Sequence, residues 1–545
     1  MSTFSGAICG VRARRLQTLS PQLQSASCRP RILAHRIQML ARPLPMLSLS
    51  WRRPALGPIV GALSLAVCLA TPQHAFAIAG VNQPPAPSRK HEAKFATPEE
   101  IKLDNGLRVI VARRPALPLL YAQLQIGHGA AIDPPGRAGL ATLTGELLTK
   151  GTESMSAPQI ATAIESLGGS IDSGAGRETS AVFLAVMSTQ AEPALKILAD
   201  VVLHPAFQKE EIDRLKHQRL DSLRVSLQQP GALARFVTER AVYGAGAYGH
   251  NVNGTPGTVE AVSREDILSV YRRYYTPDDA VFILAGDVTL DQAKAWAEQF
   301  FGAWRKADAA ADEPIKSGAA DWKPQDLVVD MPEAGQAAVT VAKPGIERTS
   351  PDYYAALVAN AALGNGFTSR LNREIRVKRG LSYGAGSSLE ARRQPGLFSA
   401  TAQTKNESAA EVAQLLASEL QRLVTEPVSG AELEGRKAVL IGRYARSLET
   451  NSGFVEQLSA LAAYRLPLDT LNKYIPSIDA ITSDEVTAFA KKELATRTSL
   501  IVVGKASAFL DALKKNVSDV RVIEQKDLDL NSPDLTKSKE RANAP

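Results

Sequence analysis

The sequence predicts an α+β protein built from two tandem domains of similar fold. Strand and helix patterns mix without the strict alternation that a doubly wound parallel sheet would require. A length of 545 residues with 45% hydrophobic content allows more than one sizeable core. A pattern of elements also recurs at an offset of roughly 220 residues, which indicates a duplicated domain of that size.

Two helix–strand units carry the repeat. Residues 259–267, followed by 281–286, resemble residues 478–486, followed by 500–504. Chance similarity is the alternative, because such units are common in mixed folds.

Local signals predict the elements of the first half in order. Asn105-Gly106 between alternating apolar runs indicates a β-hairpin, and a strand from 119 to 126 leads into a short helix within 139–152. Ser156 is a candidate N-cap for the next helix. Further helices are predicted at 158–167, 210–228, 264–275 and 290–301, and further strands at 181–187 and 281–285.

Composition suggests where the domains begin and end. Residues 78–306 read as the first domain, and 307–324, rich in Ala, Asp and Lys, as a linker. Residues 325–523 then form the second domain. The polar stretch 524–545 predicts a disordered tail.

Residues 1–77 read as a leader. They contain nine arginines and no acidic residue, and Arg52-Arg53 precedes a short apolar run that ends near the Ala75-Phe-Ala77 site. This order is typical of a signal peptide cleaved after Ala77, which predicts export to the periplasm. The alternative is a mitochondrial presequence, which is also rich in arginine and poor in acid.

Charge and cysteine content exclude several classes of function. The pI near 9.1 comes from the leader, because its removal leaves 63 − 9 = 54 basic residues against 56 acidic ones. We therefore expect no nucleic-acid partner and, after signal cleavage, no stable membrane span. Cys9, Cys28 and Cys68 all lie in the leader, so the mature chain forms no disulfide.

The stretch from Gly139 to Thr152 reads Gly-Leu-Ala-Thr-Leu-Thr-Gly-Glu-Leu-Leu-Thr-Lys-Gly-Thr. It resembles the zinc helix of the M16 (pitrilysin/insulinase) metallopeptidases, where His-x-x-Glu-His lies between the same flanks. The alignment puts Thr142 and Glu146 at the histidine positions and Gly145 at the catalytic glutamate. Threonine is a poor zinc ligand and glycine cannot act as a base, so the resemblance implies a degenerate zinc motif.

The family's third zinc ligand is a glutamate roughly 75 residues further on. The matching helix offers Asp213 and Asp221 between residues 212 and 223 but no glutamate. No two histidines of the mature chain stand at ligand spacing, and His217 with Asp221, one turn away, is a candidate for no more than an incidental metal.

A second motif begins at Ser369-Arg-Leu and continues to Arg376 and to Tyr383 after Gly380-Leu. The pattern predicts a helix from 368 to 378, a cap at Gly380 and a strand carrying Tyr383. The motif resembles the other M16 signature, which implies that Arg376 and Tyr383 hydrogen-bond to peptide substrate. The alternative is that Arg376 lies on a solvated helix face and Tyr383 packs in the sheet.

The resemblance covers most of the mature chain and implies two M16-type domains of the LuxS/metallohydrolase-like fold. One branch of the family forms dimers in which one subunit holds zinc and the other holds the arginine and tyrosine. We therefore expect a non-catalytic, substrate-binding subunit of a periplasmic peptidase. Its partner would carry an intact His-x-x-Glu-His and the zinc, this chain would bind no cofactor, and the substrates would be peptides.

Two other functions stay open on the sequence. The chain could be a peptide-binding or scaffold protein with no peptidase partner. It could also be an autonomous zinc peptidase with atypical ligands, which would need donors that the sequence does not offer.

Overall fold

The computed structural model describes residues 95–306 and 315–537. The leader with its three cysteines and the Ala77 site lies outside the described residues, as do 307–314 and 538–545. The first half contains one six-stranded sheet, in the order β1-β2-β6-β3-β5-β4. Its strands are β1 (Glu99–Lys102), β2 (Arg108–Arg113), β3 (Leu119–Ile126), β4 (Ser170–Ala175), β5 (Ser180–Met187) and β6 (Ala280–Gly286).

The second half repeats this topology, which confirms the predicted duplication. Its sheet has the order β12-β7-β11-β8-β10-β9. The five shared strands pair with the same directions, and β7 begins 326 − 108 = 218 residues after β2. Its strands are β7 (Asp326–Asp330), β8 (Ala337–Pro344), β9 (Ala385–Leu389), β10 (Leu397–Thr404), β11 (Ser499–Gly504) and β12 (Val520–Glu524).

Helices cover both sheets. In the described residues, none of them is long and apolar enough to cross a membrane. The first half has α1 (Leu140–Leu147), α2 (Ala157–Ser166), α3 (Ala191–Leu203), α4 (Lys209–Leu227), α5 (Pro230–Tyr243), α6 (Pro256–Ala261), α7 (Arg264–Tyr274) and α8 (Leu290–Phe301). The second has α9 (Tyr353–Leu363), α10 (Ala409–Thr425), α11 (Gly430–Ser447), α12 (Asn451–Ala463), α13 (Thr470–Ala480), α14 (Ser483–Phe489) and α15 (Leu510–Lys514), with π-helical turns at Asn372–Lys378 and Ala490–Leu494.

The elements of the first half that were predicted from local signals are confirmed. The Asn105-Gly106 turn joins β1 to β2, with Gly106 at φ +99°. The predicted bounds of β3 and α8 match the structure to the residue. At the start of α2, Gln159 Oε1 accepts hydrogen bonds from the Ser156 amide and hydroxyl at 2.8 and 2.9 Å, as expected of a capping box.

Each half lends one helix to the sheet of the other. Helix α5 packs Leu233 and Val237 against β7 and β11 of the second sheet. Helix α12 packs Phe454 and Leu458 against β2 and β6 of the first. Strand β6 is therefore buried on both faces, which explains why it reads as an unbroken apolar run.

The end of the chain differs from the prediction of a disordered tail, which is wrong for residues 524–537. Leu535 is fully buried in the cluster that α5 forms with the second sheet. The Arg240 Nε on α5 donates to the Leu530 carbonyl at 3.0 Å. A few apolar residues in a polar stretch are enough to dock this segment against α5.

Candidate functional site

Helix α1 holds the degenerate zinc motif, and its beginning is fixed by a buried carboxylate. The two side-chain oxygens of Asp133 accept hydrogen bonds at 2.8 Å from the backbone amides of Gly139 and Ala141. A carboxylate at a helix N-terminus offsets the dipole and satisfies free amides. Gly139 has φ +94°, a conformation that glycine adopts without strain.

Gly145 lies where α1 comes closest to the edge strand β4. A Cβ atom at this position would lie 2.8 Å from the Gly174 carbonyl carbon and 3.1 Å from the Ala175 nitrogen. Any side chain here would push the helix away from the strand. At Gly145, which aligns with the family's general base, backbone atoms of β4 therefore lie where a side chain would have to be.

The other two motif positions are engaged in hydrogen bonds. Thr142 is 3% exposed, and its Oγ1 donates to the Val252 carbonyl at 2.6 Å. Glu146 Oε1 accepts from Arg219 Nη2, on α4, at 2.5 Å. Arg219 also donates through Nη1 to the side-chain oxygen of Asn253. A guanidinium therefore links α1 to α4, 73 residues further along the chain than Glu146.

The carboxylates considered as a third ligand point elsewhere. Asp221 pairs with Arg224 at 2.9 Å and is 74% exposed, and Asp213 pairs with Lys209 at 2.5 Å. Among the described residues, no group of three His, Cys, Asp or Glu side chains could hold a metal ion.

This donor set does not fit zinc. The Thr142 hydroxyl already donates to a carbonyl, and a divalent cation beside Glu146 would meet the positive charge of Arg219. That the chain carries no zinc of its own stays a prediction.

Arg376 lies on a π-helical segment rather than on the predicted α-helix. Residues Asn372–Lys378 form this segment, and Gly380 ends it at φ +63°, donating to the Arg376 carbonyl at 3.0 Å. Such turns widen the helix and are frequent at functional sites. Tyr383 precedes β9 instead of lying within it, so its side chain is not held by the sheet.

Two exposed aromatic rings flank the Arg376 guanidinium. Its Cζ lies 4.6 Å from the centroid of Phe367 and 4.8 Å from that of Tyr383. Phe367 is 63% exposed and Tyr383 is 89% exposed. The structure therefore brings the predicted pair together and adds a third side chain, Phe367.

The carboxylate nearest in sequence, Glu374, is already neutralised. It accepts from Lys378 at 2.7 Å and from Arg379, and these two hydrogen bonds lower the pKa of Glu374 below its usual value. Within the part of the chain that the structure describes, Arg376 has no carboxylate partner. Its charge is free to meet an oxygen of another molecule.

The start of this second motif has a structural role. Arg370 is 7% exposed and holds both carboxylate oxygens of Glu432 on α11, at 3.1 and 2.9 Å. Leu371 is fully buried in the core of the second half. Ser369 to Leu371 anchor the segment that presents Arg376.

The two motifs do not meet within this chain. No hydrogen bond, ion pair or ring contact joins α1 to Arg376 or Tyr383 in the residues described. Sequence patterns did not identify Arg219 and Phe367 as residues of these sites. Arg219 lies close to the expected spacing but is not a glutamate, and Phe367 has no signal beyond being an apolar residue in a loop.

Comparison with known families agrees with both motifs. The model described as "Insulinase (Peptidase family M16)" matches residues 108–251, and the model described as "Peptidase M16 inactive domain" matches residues 261–440. This chain belongs to peptidase family M16. The two M16 domains account for the mixed fold and its duplication.

Relatives and solved structures match over most of this M16 chain. An uncharacterized zinc protease from Streptomyces coelicolor is 26% identical over 423 residues, which cover 76% of this chain and 91% of the relative. Another from Mycobacterium leprae is 27% identical over 418 residues, which cover 76% of this chain and 94% of the relative. A peptidase M16 inactive domain from Pseudomonas fluorescens has TM-score 0.70 and 28% identity, covering 75% of this chain and 98% of its own. A protease from Helicobacter pylori, 18% identical with TM-score 0.70 over 75% of this chain and 100% of its own, shares the fold.

Proposed function

We propose that this chain is the non-catalytic, substrate-binding subunit of an M16 zinc peptidase. The observation that carries the proposal is the contrast between the two motifs. The zinc positions Thr142 and Glu146 are engaged with Val252 and Arg219, whereas Arg376 lacks a carboxylate partner among the described residues and Tyr383 is exposed. Peptide hydrolysis by this family needs a metal-bound water and a base, which a second subunit with His-x-x-Glu-His would supply.

In the proposed complex this chain binds and orients the peptide. The Arg376 guanidinium donates to a carbonyl or terminal carboxylate of the substrate, and its planar fork can hold two oxygens at once. The Tyr383 phenol donates a further hydrogen bond. The rings of Phe367 and Tyr383 keep the guanidinium in place and offer apolar contact to substrate side chains. Positioning of this kind contributes several kcal/mol to a reaction.

The proposed place of action is the periplasm. The leader up to Ala77 has the charge order and cleavage pattern of a signal peptide. N-terminal sequencing of the mature protein tests this, and a start near Ile78 is expected.

The test uses the purified mature chain, a co-purified M16 subunit with intact ligands, and their mixture. The mixture is expected to hydrolyse peptides at least about tenfold faster than either protein alone. Zinc is expected in the partner. In the mixture, Arg376→Ala is expected to lower turnover at least about tenfold without changing zinc content, because about 1.4 kcal/mol of positioning is lost. The matched control is Arg373→Ala, an exposed arginine one turn earlier, which is expected to have little effect.

Two outcomes would contradict the proposal. Full activity of the partner alone would leave this chain as a scaffold or peptide-binding protein. Hydrolysis by this chain alone, with one tightly held zinc per molecule, would make it an autonomous peptidase.

A further inference from the structure

A cavity of about 800 Å³ lies between the two halves, apart from both motifs. Five arginines line it: Arg108, Arg348, Arg392, Arg393 and Arg465. We propose that this arginine cavity binds a multiply charged oxyanion, carried either by a phosphate or by a dicarboxylate.

Two of the three acidic side chains that line the cavity have a basic partner. Glu100 Oε1 pairs with Arg108 Nε at 2.6 Å, and Asp279 Oδ2 lies 2.5 Å from His128 Nδ1. Asp278 is the remaining carboxylate among the described residues of the lining. Five arginines and three carboxylates thus line the cavity, so positive charge exceeds negative charge within the lining.

Three of those arginines have no carboxylate within ion-pair distance in residues 95–306 and 315–537. The Arg348 guanidinium lies over the ring of Tyr353, 3.6 Å from its centroid. The Arg393 guanidinium donates to two backbone carbonyls, at 2.6 and 3.1 Å, while the Arg393 backbone amide donates to Glu178 Oε1 at 3.0 Å. The side chain of Arg465 makes no hydrogen bond in the described chain. Like charges facing one cavity without counter-charge repel one another, and a bound anion removes that cost.

Of the five arginines that line the cavity, Arg392 is the one that is buried. It is 8% exposed, and one of its nitrogens pairs with Glu390. Its other terminal nitrogen, Nη1, has no hydrogen-bond partner in the described residues. Buried donors are almost always satisfied in native proteins, so this nitrogen lacks the acceptor that such a donor usually has.

The backbone at Arg465 points to a role for its side chain. Arg465 follows α12 with φ +53° and donates to the Ala462 carbonyl at 3.1 Å, while Leu466 donates to the Leu461 carbonyl at 2.9 Å. This is the Schellman end of a helix, where glycine is the favoured residue and a Cβ is disfavoured. An arginine kept in a strained conformation at a ligand cavity indicates that its charge is used there.

An oxyanion fits these groups because the guanidinium fork matches the spacing of carboxylate and phosphate oxygens. The test is calorimetric titration of the purified full chain with inorganic phosphate and, separately, with glutarate, at constant ionic strength set by chloride. Saturable binding of at least one of the two is expected. Binding of phosphate alone identifies a phosphate ligand, and binding of glutarate alone identifies a pair of carboxylates.

Two variants test the assignment of the residues. Arg348→Gln and Arg465→Gly are each expected to weaken binding at least tenfold. Arg465→Gly is also expected to raise the Tm in anion-free buffer, because glycine relieves the strained backbone. The control Arg113→Gln removes an equal charge from an exposed position outside the cavity and should change affinity less than twofold.

Three results would overturn the proposal. The first is that neither anion binds saturably to the wild-type chain. The second is that both cavity variants bind as tightly as wild type. The third is that Arg113→Gln weakens binding as much as the cavity variants do. The last result would mean that overall charge, and not this cavity, attracts the anion.

Discussion

Replacing Arg219 by alanine is expected to destabilise the fold by about 2 kcal/mol. Arg219 is 12% exposed and joins α4 to Glu146 on α1. Leaving one partner of a fully buried ion pair unmatched costs about 3–5 kcal/mol. Glu146 is 29% exposed, so water recovers part of this cost, and the loss approaches that of one charge-assisted hydrogen bond, about 1.5–3 kcal/mol.

The assay is urea unfolding followed by circular dichroism, with thermal unfolding beside it. For a folded region of about 440 residues, 2 kcal/mol corresponds to a drop in Tm of roughly 2 °C. The control is Arg214→Ala on the same helix, whose pair with Glu211 is solvated and worth less than about 0.5 kcal/mol. Combining Arg219→Ala with Glu146→Gln should show a coupling energy of about 1 kcal/mol or more. A loss no greater than that of the control, or a coupling near zero, would refute the view that this pair links the two helices.

Gly145→Ala is expected to cost about 1–3 kcal/mol in urea unfolding, because its Cβ would press on the backbone of β4. The same change at Gly435, in α11 with open space around it, should stabilise by up to about 1 kcal/mol, and equal effects at the two sites would argue against the close contact. Leu535→Ala should cost about 2–4 kcal/mol, because the side chain is fully buried. Leu117→Ala, at a side chain 60% exposed, should cost less than about 0.5 kcal/mol, and a Leu535 variant as stable as this control would mean that the end of the chain does not dock.

Local chemistry made part of the fold predictable. The Asn105-Gly106 turn and the Ser156 cap are decided by neighbours within a few residues, so single-sequence patterns identify them. The repeat was visible because each half needs the same buried helix–strand unit. That Thr142, Gly145 and Glu146 replace the residues of the family's His-x-x-Glu-His motif is read directly from the sequence.

Long-range packing decided what the sequence missed. The role of Arg219 depends on how α4 lies against α1, which no local pattern encodes. The π-helical turn at Arg376 still has helical spacing in its sequence, and Phe367 reaches the guanidinium only through that turn. Leu528, Leu530 and the buried Leu535 are few among polar residues, so composition predicts disorder where these apolar side chains dock.

Because α5 and α12 are exchanged, each sheet depends on a helix from the other half to cover one of its apolar faces. Separating the two halves would expose one apolar face of each sheet to water, at a free-energy cost of about 25 cal/mol for every Å² of apolar surface. We therefore expect the two halves of the chain to stay packed together and not to hinge apart. In the proposed complex, we would therefore expect a peptide to enter where this chain meets its partner.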